Sequence, residues 1–144
     1  MEINNVEILL VEDNVDDAHL AIRALKKNNL VNNILHLQDG QEALNYLLSA
    51  DSSPYLKVIF LDLKMPKVDG IEVLRKLKSH ETLKVIPVVM LTSSKEEQDI
   101  IETYKLGVNA YIVKPVEFEK FVKAIADIGM FWLVLNERPR IEKN

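Results

Sequence analysis

The chain contains no cysteine. Disulfides, thiolate nucleophiles and cysteine-based zinc sites are therefore excluded. Glycine and proline are also sparse, at 4 and 5 of 144 residues, and aromatics make up only 6%. No low-complexity tract or internal repeat is present. No G-x-G-x-x-G and no Walker-type loop occurs, so nucleotide binding lacks a motif. No apolar stretch approaches the ~18 residues of a membrane span; the uncharged run Ile128 to Asn136 falls well short. The opening residues, Met1-Glu2-Ile3-Asn4-Asn5, are acidic and polar, unlike the basic start of a signal peptide. Positive charge is in deficit: Lys plus Arg is 18 against 22 Asp plus Glu, a net charge of −4. A nucleic-acid binder usually needs a basic surface, which this balance does not supply. These absences point to a cytoplasmic protein that engages neither membrane nor nucleic acid.

The chain does have the composition of a globular domain, 48% apolar and 28% charged. At this length one domain is expected, burying roughly two-thirds of its unfolded surface. Short apolar runs recur: Ile8 to Val11, Ile34 to Leu37, Val58 to Leu61, Val85 to Leu91 and Ala110 to Val113. They are strand-sized, largely β-branched and continuous, as expected of parallel strands covered on both faces. Between them lie helical stripes: Ala18/Ala21/Ile22/Leu25, Ala43/Leu44/Leu47/Leu48, Ile71/Leu74/Leu77, Ile100/Ile101/Tyr104, and Phe118/Phe121/Val122/Ile125/Ile128/Trp132. Strands alternating with helices imply right-handed βαβ units. The expected architecture is a doubly wound α/β sandwich of flavodoxin-like (βα)5 form, with a five-stranded parallel sheet and helices on both faces. Ser49 to Pro54 reads as a surface loop. The domain is expected over residues 1–134, with 135–144 as a helix extension and tail.

Open parallel sheets bind ligands at the carboxyl ends of their strands. Four strands end in polar residues: Glu12-Asp13-Asn14 after the first, Asp62 after the third, Thr92-Ser93-Ser94 after the fourth, and Lys114-Pro115 after the fifth. Glu12, Asp13 and Asp62 would share one pocket and repel each other, raising at least one pKa. Lys114 supplies one compensating charge, and a divalent cation could supply the rest. The ligands are hard oxygens, which favours Mg²⁺ over zinc. A carboxylate beside a cation, a lysine and a hydroxyl can form an acyl phosphate, with Asp62 as nucleophile and Lys114 and Thr92 contacting the phosphoryl oxygens. The Pro-Gly-bearing loop after Asp62 could offer backbone N–H groups to an anion.

Each motif alone has a plainer reading. Asp16 and Asp17 suit a first helical turn, and Ser94 with Glu97 suits a capping box. Tyr111 suits a half-buried strand, and Phe131-Trp132-Leu133 suits packing. His19, His36 and His80 lack metal-ligand spacing and read as structural or surface residues. Four polar tips in order are what lift the combination above these alternatives.

The segments Leu10-Val11-Glu12-Asp13-Asn14, Leu61 to Gly70, Leu91-Thr92-Ser93-Ser94 and Ala110 to Pro115 strongly resemble the receiver domain of two-component response regulators, the CheY-like family. The likeness runs over roughly residues 6–134. It implies that Asp62 is the phosphoacceptor and that Glu12, Asp13, Asp62 and the Lys64 backbone carbonyl hold Mg²⁺. It implies that Thr92 and Lys114 contact the phosphoryl group, that Thr92 and Tyr111 act as switch residues with Tyr111 turning inward on phosphorylation, and that Lys114-Pro115 is a cis peptide. Val68 stands where the family often has methionine. Lys64 and Ser94 flank the expected water path and would tune phosphoryl lifetime. A narrower resemblance, carried by Leu83 to Val88, Asp99-Ile100 with Tyr104, Asn109-Ala110-Tyr111 and Phe131-Trp132-Leu133 with Pro139, is to single-domain regulators paired with bacterial phytochromes. It implies a sensor histidine kinase of phytochrome type as partner. It also implies a homodimer through the fourth helix, fifth strand, fifth helix and tail, with output through that surface rather than an attached domain. Such a regulator is not an enzyme beyond its own phosphorylation and dephosphorylation. A metal-dependent phosphatase is the alternative class, but it would need a general acid where Lys64 stands. A phosphorylation-independent binding module would be expected to lack one of the site residues kept here.

Overall fold

A computed structural model describes residues 5–27, 33–49, 52, 56–115 and 117–137. Five strands, β1 (Ile8–Val11), β2 (Ile34–Leu37), β3 (Val58–Leu61), β4 (Val88–Thr92) and β5 (Ala110–Val113), alternate with five helices. These are α1 (Val15–Lys27), α2 (Gly40–Leu47), α3 (Gly70–Ser79), α4 (Glu97–Lys105) and α5 (Phe118–Gly129). The strands form one parallel sheet in the order β2-β1-β3-β4-β5. The expected doubly wound, flavodoxin-like (βα)5 sandwich is thus the observed fold.

The continuous apolar strands work as the sequence suggests, with successive residues entering opposite cores. Leu9, Val11, Ile59, Leu61, Val88 and Met90 face the layer of α2 and α3. Ile8, Leu10, Val58, Phe60, Val89 and Leu91 face α1 and α5. The helices are fixed at their starts by short polar residues: Asp39 and Asp69 accept the Glu42 and Glu72 N–H groups at 2.8 and 3.0 Å. Asn14 does the same for Asp17 at 3.0 Å.

Three expectations shift. The fourth apolar run does not start a strand at Val85; Leu83–Val85 form a 3₁₀ turn and the strand begins at Val88. Pro87 has no N–H to give the ladder, so it leads into the strand rather than sitting inside it. The α4 stripe is not a core stripe. Ile101 and Tyr104 are 45% and 52% exposed, and Thr103 is the buried residue of that helix. Finally, α5 runs on without a break into a π-helical segment, Met130–Leu135. There Leu133 is buried, while Phe131 packs edge-on against Trp132 with ring centroids 5.0 Å apart. Residues 138–144, including Pro139 and most of the expected tail, lie outside the described residues, as do parts of the Ser49–Pro54 loop.

Candidate functional site

The sheet order reverses between β1 and β3, and that switch point is where this class of fold opens a crevice. Backbone bonds carry the ladder one residue past the strands and hold the tips level: Glu12 N–H to Leu37 O at 3.0 Å, Asp62 N–H to Val11 O at 3.0 Å, and Lys114 N–H to Thr92 O at 2.8 Å. Glu12, Asp62 and Thr92 are therefore fixed by main chain at the carboxyl edge, and all three are buried, at 2%, 8% and 1% exposure.

Carboxylate oxygens of Glu12, Asp13 and Asp62 lie within 4.8 Å of one another, with Asp13 the exposed member. Lys114 reaches into the same pocket. Its Nζ donates to Glu12 Oε1 and to Asp17 Oδ2, the latter at 3.0 Å, and stands 3.7 Å from Asp62 Oδ2. One ammonium thus serves several carboxylates. The Leu63 N–H donates to Asp62 Oδ1 at 2.8 Å, leaving the other oxygen toward Lys114. The following loop is tied at its ends: Gly70 N–H bonds Leu63 O at 2.7 Å. A Cβ on Gly70 would stand 2.1 Å from the Asp62 carbonyl oxygen, so glycine is required for α3 to start this close.

The expected electrostatic conflict falls on Glu12. Burial raises its pKa, the neighbouring Asp62 raises it further, and Lys114 only partly opposes them, leaving it at about 8. For Lys114, burial acts downward, but the hydrogen bond to Glu12 and the charges of Asp62 and Glu12 outweigh it and hold its pKa above 10.5. The three acids offer only hard oxygen donors, with no histidine or thiolate among them, and they are crowded and under-neutralised. That donor set fits a divalent cation of the Mg²⁺ or Mn²⁺ type.

On the β4 and β5 side, Thr92 Oγ1 accepts the Ser94 N–H at 3.4 Å. The Tyr111 hydroxyl donates to the Ser94 carbonyl at 3.0 Å. Tyr111 is half-buried against the α2–α3 core, with its hydroxyl on the β4–α4 loop. Its pKa is raised, first by burial and then by the charges of Asp99, Asp62 and Glu96, with the Ser94 contact opposing. Lys64 is exposed in the loop after β3.

Several residues play parts the sequence did not reveal. Asp17, read as a first-turn acid, also pairs with Lys114 because α1 starts directly behind the β1 tip. His36 lies on β2 with Nε2 2.8 Å from the Glu12 carbonyl oxygen and braces the acid pair from the edge strand. Ser94 does not form a capping box with Glu97. Its hydroxyl donates to Asp99 Oδ2 at 2.6 Å and accepts the Glu96 N–H at 3.4 Å. The Lys114–Pro115 peptide is trans, with no cis bond among the described residues; trans is the lower-energy isomer even before proline, by about 0.5–1 kcal/mol.

Comparison with known proteins agrees with this geometry. The family model for the response regulator receiver domain matches residues 8–126. The "Probable methanogenesis regulatory protein FilR2" of Methanothrix harundinacea is 40% identical over 134 residues, 92% of this chain and 86% of that protein. The response regulator Rcp1 of Synechocystis sp. is 40% identical over 129 residues, 88% of each. The crystal structure of its Mn²⁺-bound form superposes with a TM-score of 0.86 at 39% identity, covering 93% of this chain and 99% of that one. The phosphorylated cyanobacterial phytochrome response regulator RcpA superposes with a TM-score of 0.85 at 38% identity, covering 94% and 99%. With its matching fold, its acid cluster, and its buried threonine and lysine at the strand tips, the chain belongs to the response regulator receiver family.

Proposed function

We propose that the chain is a response regulator receiver whose Asp62 accepts a phosphoryl group from the phosphohistidine of a sensor histidine kinase. The observation that carries this reading is the meeting of Asp62, Glu12, Asp13, Thr92 and Lys114 at one edge of the sheet. Glu12, Asp13, Asp62 and the Lys64 carbonyl are the residues to hold Mg²⁺. When bound, the cation neutralises charge on the transferring phosphoryl oxygens. The Asp62 oxygen that faces Lys114, rather than the one held by Leu63 N–H, is the nucleophile. It attacks phosphorus in line, the P–N bond to the kinase histidine breaks with its electron pair going to nitrogen, and the imidazole, protonated on its other ring nitrogen, leaves as the neutral group. Lys114 and the Thr92 hydroxyl hold the phosphoryl oxygens. Thr92 moving to the new dianion reshapes the loop whose Ser94 carbonyl Tyr111 engages, which biases a two-state surface. Water later hydrolyses the acyl phosphate, with Lys64 and Ser94 setting its lifetime.

The partner is a histidine kinase of phytochrome type, in keeping with the likeness to RcpA, a phytochrome response regulator. The receiver unit is residues 1–134, with 135–144 as its extension and tail; the last helical segment itself ends at Leu135. The output surface is α4, β5, α5 and that extension, assembled as a homodimer in the cytoplasm. It is favoured by the apolar residues left in solvent there: Ile101, Tyr104, Phe118, Phe131, Val134 and Leu135. No nucleic-acid partner is needed. Incubation with Mg²⁺ and acetyl phosphate, read by intact mass, tests the chemistry. One phosphoryl adduct is expected on the wild type and none on Asp62→Asn. A wild type that binds Mg²⁺ yet takes no adduct would instead indicate a phosphorylation-independent binding module.

A further inference from the structure

Every polar atom of Ser94 has a partner, and the partners belong to different parts of the switch. Its N–H points to Thr92 Oγ1 at 3.4 Å, and its carbonyl accepts the Tyr111 hydroxyl at 3.0 Å. Its own hydroxyl donates to Asp99 Oδ2 at 2.6 Å and accepts the Glu96 N–H at 3.4 Å. The Ser94–Asp99 contact has the short length of a hydrogen bond to an ionised carboxylate. Helix α4 has no side-chain hydrogen bond at its own N-cap, Glu96. The tie from Ser94 to Asp99, in the first turn, therefore joins the β4–α4 loop to the helix. On that same helix stand the exposed Ile101 and Tyr104.

We propose that Asp99 is a positioning residue of the switch. By accepting the Ser94 hydroxyl it fixes the Ser94 carbonyl where Tyr111 reaches it, and it withholds that hydroxyl from water approaching Asp62. The first part stands on the contacts alone. The second rests on the phosphoacceptor reading above. Thr92, Tyr111 and α4 then share one anchor, so a displacement of Thr92 is felt at the helix through Ser94.

The test uses the full chain with ¹³C-labelled tyrosine, the Tyr111 signal being assigned with Tyr111→Phe. In the unphosphorylated protein, Asp99→Ala should shift the Tyr111 signal, and Asp99→Asn, which keeps an acceptor oxygen, should restore at least about half of the shift. After phosphorylation with acetyl phosphate, Asp99→Ala should speed hydrolysis about three- to tenfold, the scale of one lost intramolecular hydrogen bond. In a Ser94→Ala background, Asp99→Ala should add nothing. An unmoved Tyr111 signal with an unchanged rate overturns the proposal, and so does an Asp99→Ala effect that persists in full without the Ser94 hydroxyl. If the wild type takes no phosphoryl group, the phosphoacceptor reading fails, while the Tyr111 signal still decides whether Asp99 positions the loop.

Discussion

Glu12 concentrates the electrostatics of the site in a single side chain. Its carboxyl titrates near 4.5 in an open chain and near 8 in the fold, because burial and Asp62 outweigh Lys114. The folded chain therefore binds a proton that the unfolded chain has released between those values. By linkage, the stability of the metal-free protein falls as pH rises through that window, and is highest on its acidic side. Lys114, held above 10.5, keeps its charge throughout and does not change the sign. A divalent cation takes the carboxylate form, so its binding displaces that proton and tightens with rising pH. Urea unfolding across the window should show the metal-free midpoint declining and the gain on adding Mg²⁺ growing. A midpoint that rises with pH in the absence of metal would overturn this reading of Glu12. Residue types at the strand tips made Glu12, Asp62, Thr92 and Lys114 legible from the sequence, since each ends an otherwise apolar run. Asp17 was hidden because an acid in a first helical turn has an adequate local reason to be there. The Ser94–Asp99 bond was hidden because the familiar capping spacing pointed to Glu97 instead.

Among the elements, the three central strands were the most legible, because burial on both faces writes them as unbroken apolar runs. The helix stripes were legible as helices but not as core. Spacing on α4 shows that Ile101 and Tyr104 share a face; it does not show whether the sheet or another molecule covers it. The start of α3 is the element that most constrains the site, since Gly70 touches the Asp62 carbonyl. Gly70→Ala should lower stability by about 1–3 kcal/mol, as overpacking does, and reduce phosphoryl uptake by displacing Asp62. Thermal unfolding and adduct yield measure the two effects. A variant as stable and as reactive as the wild type would show that the α3–Asp62 contact is not needed.

At the scale of the whole molecule, the proposed chemistry and the proposed output surface occupy different places. The acid pocket sits at the carboxyl edge of the sheet, whereas one group of exposed apolar side chains, Ile101, Tyr104, Phe118 and Phe131 among them, lines α4 and α5 with its continuation. The two functions should therefore separate by mutation. Ile101→Glu combined with Phe131→Glu should weaken self-association by at least about tenfold, the scale of losing central apolar anchors. The same variant should still form the Asp62 adduct. Sedimentation equilibrium and intact mass report the two outcomes; unchanged association would move the dimer surface elsewhere. The proposed chemistry depends on Asp62 being the acceptor, and chemical trapping of the acyl phosphate locates it directly. The chain is phosphorylated with acetyl phosphate and Mg²⁺, reduced with borohydride, digested and sequenced by mass spectrometry. The reduced acyl phosphate, a homoserine, is expected at position 62 and nowhere else. A mark at Glu12, Asp13 or Asp17 with position 62 unmodified would refute Asp62 as the phosphoacceptor.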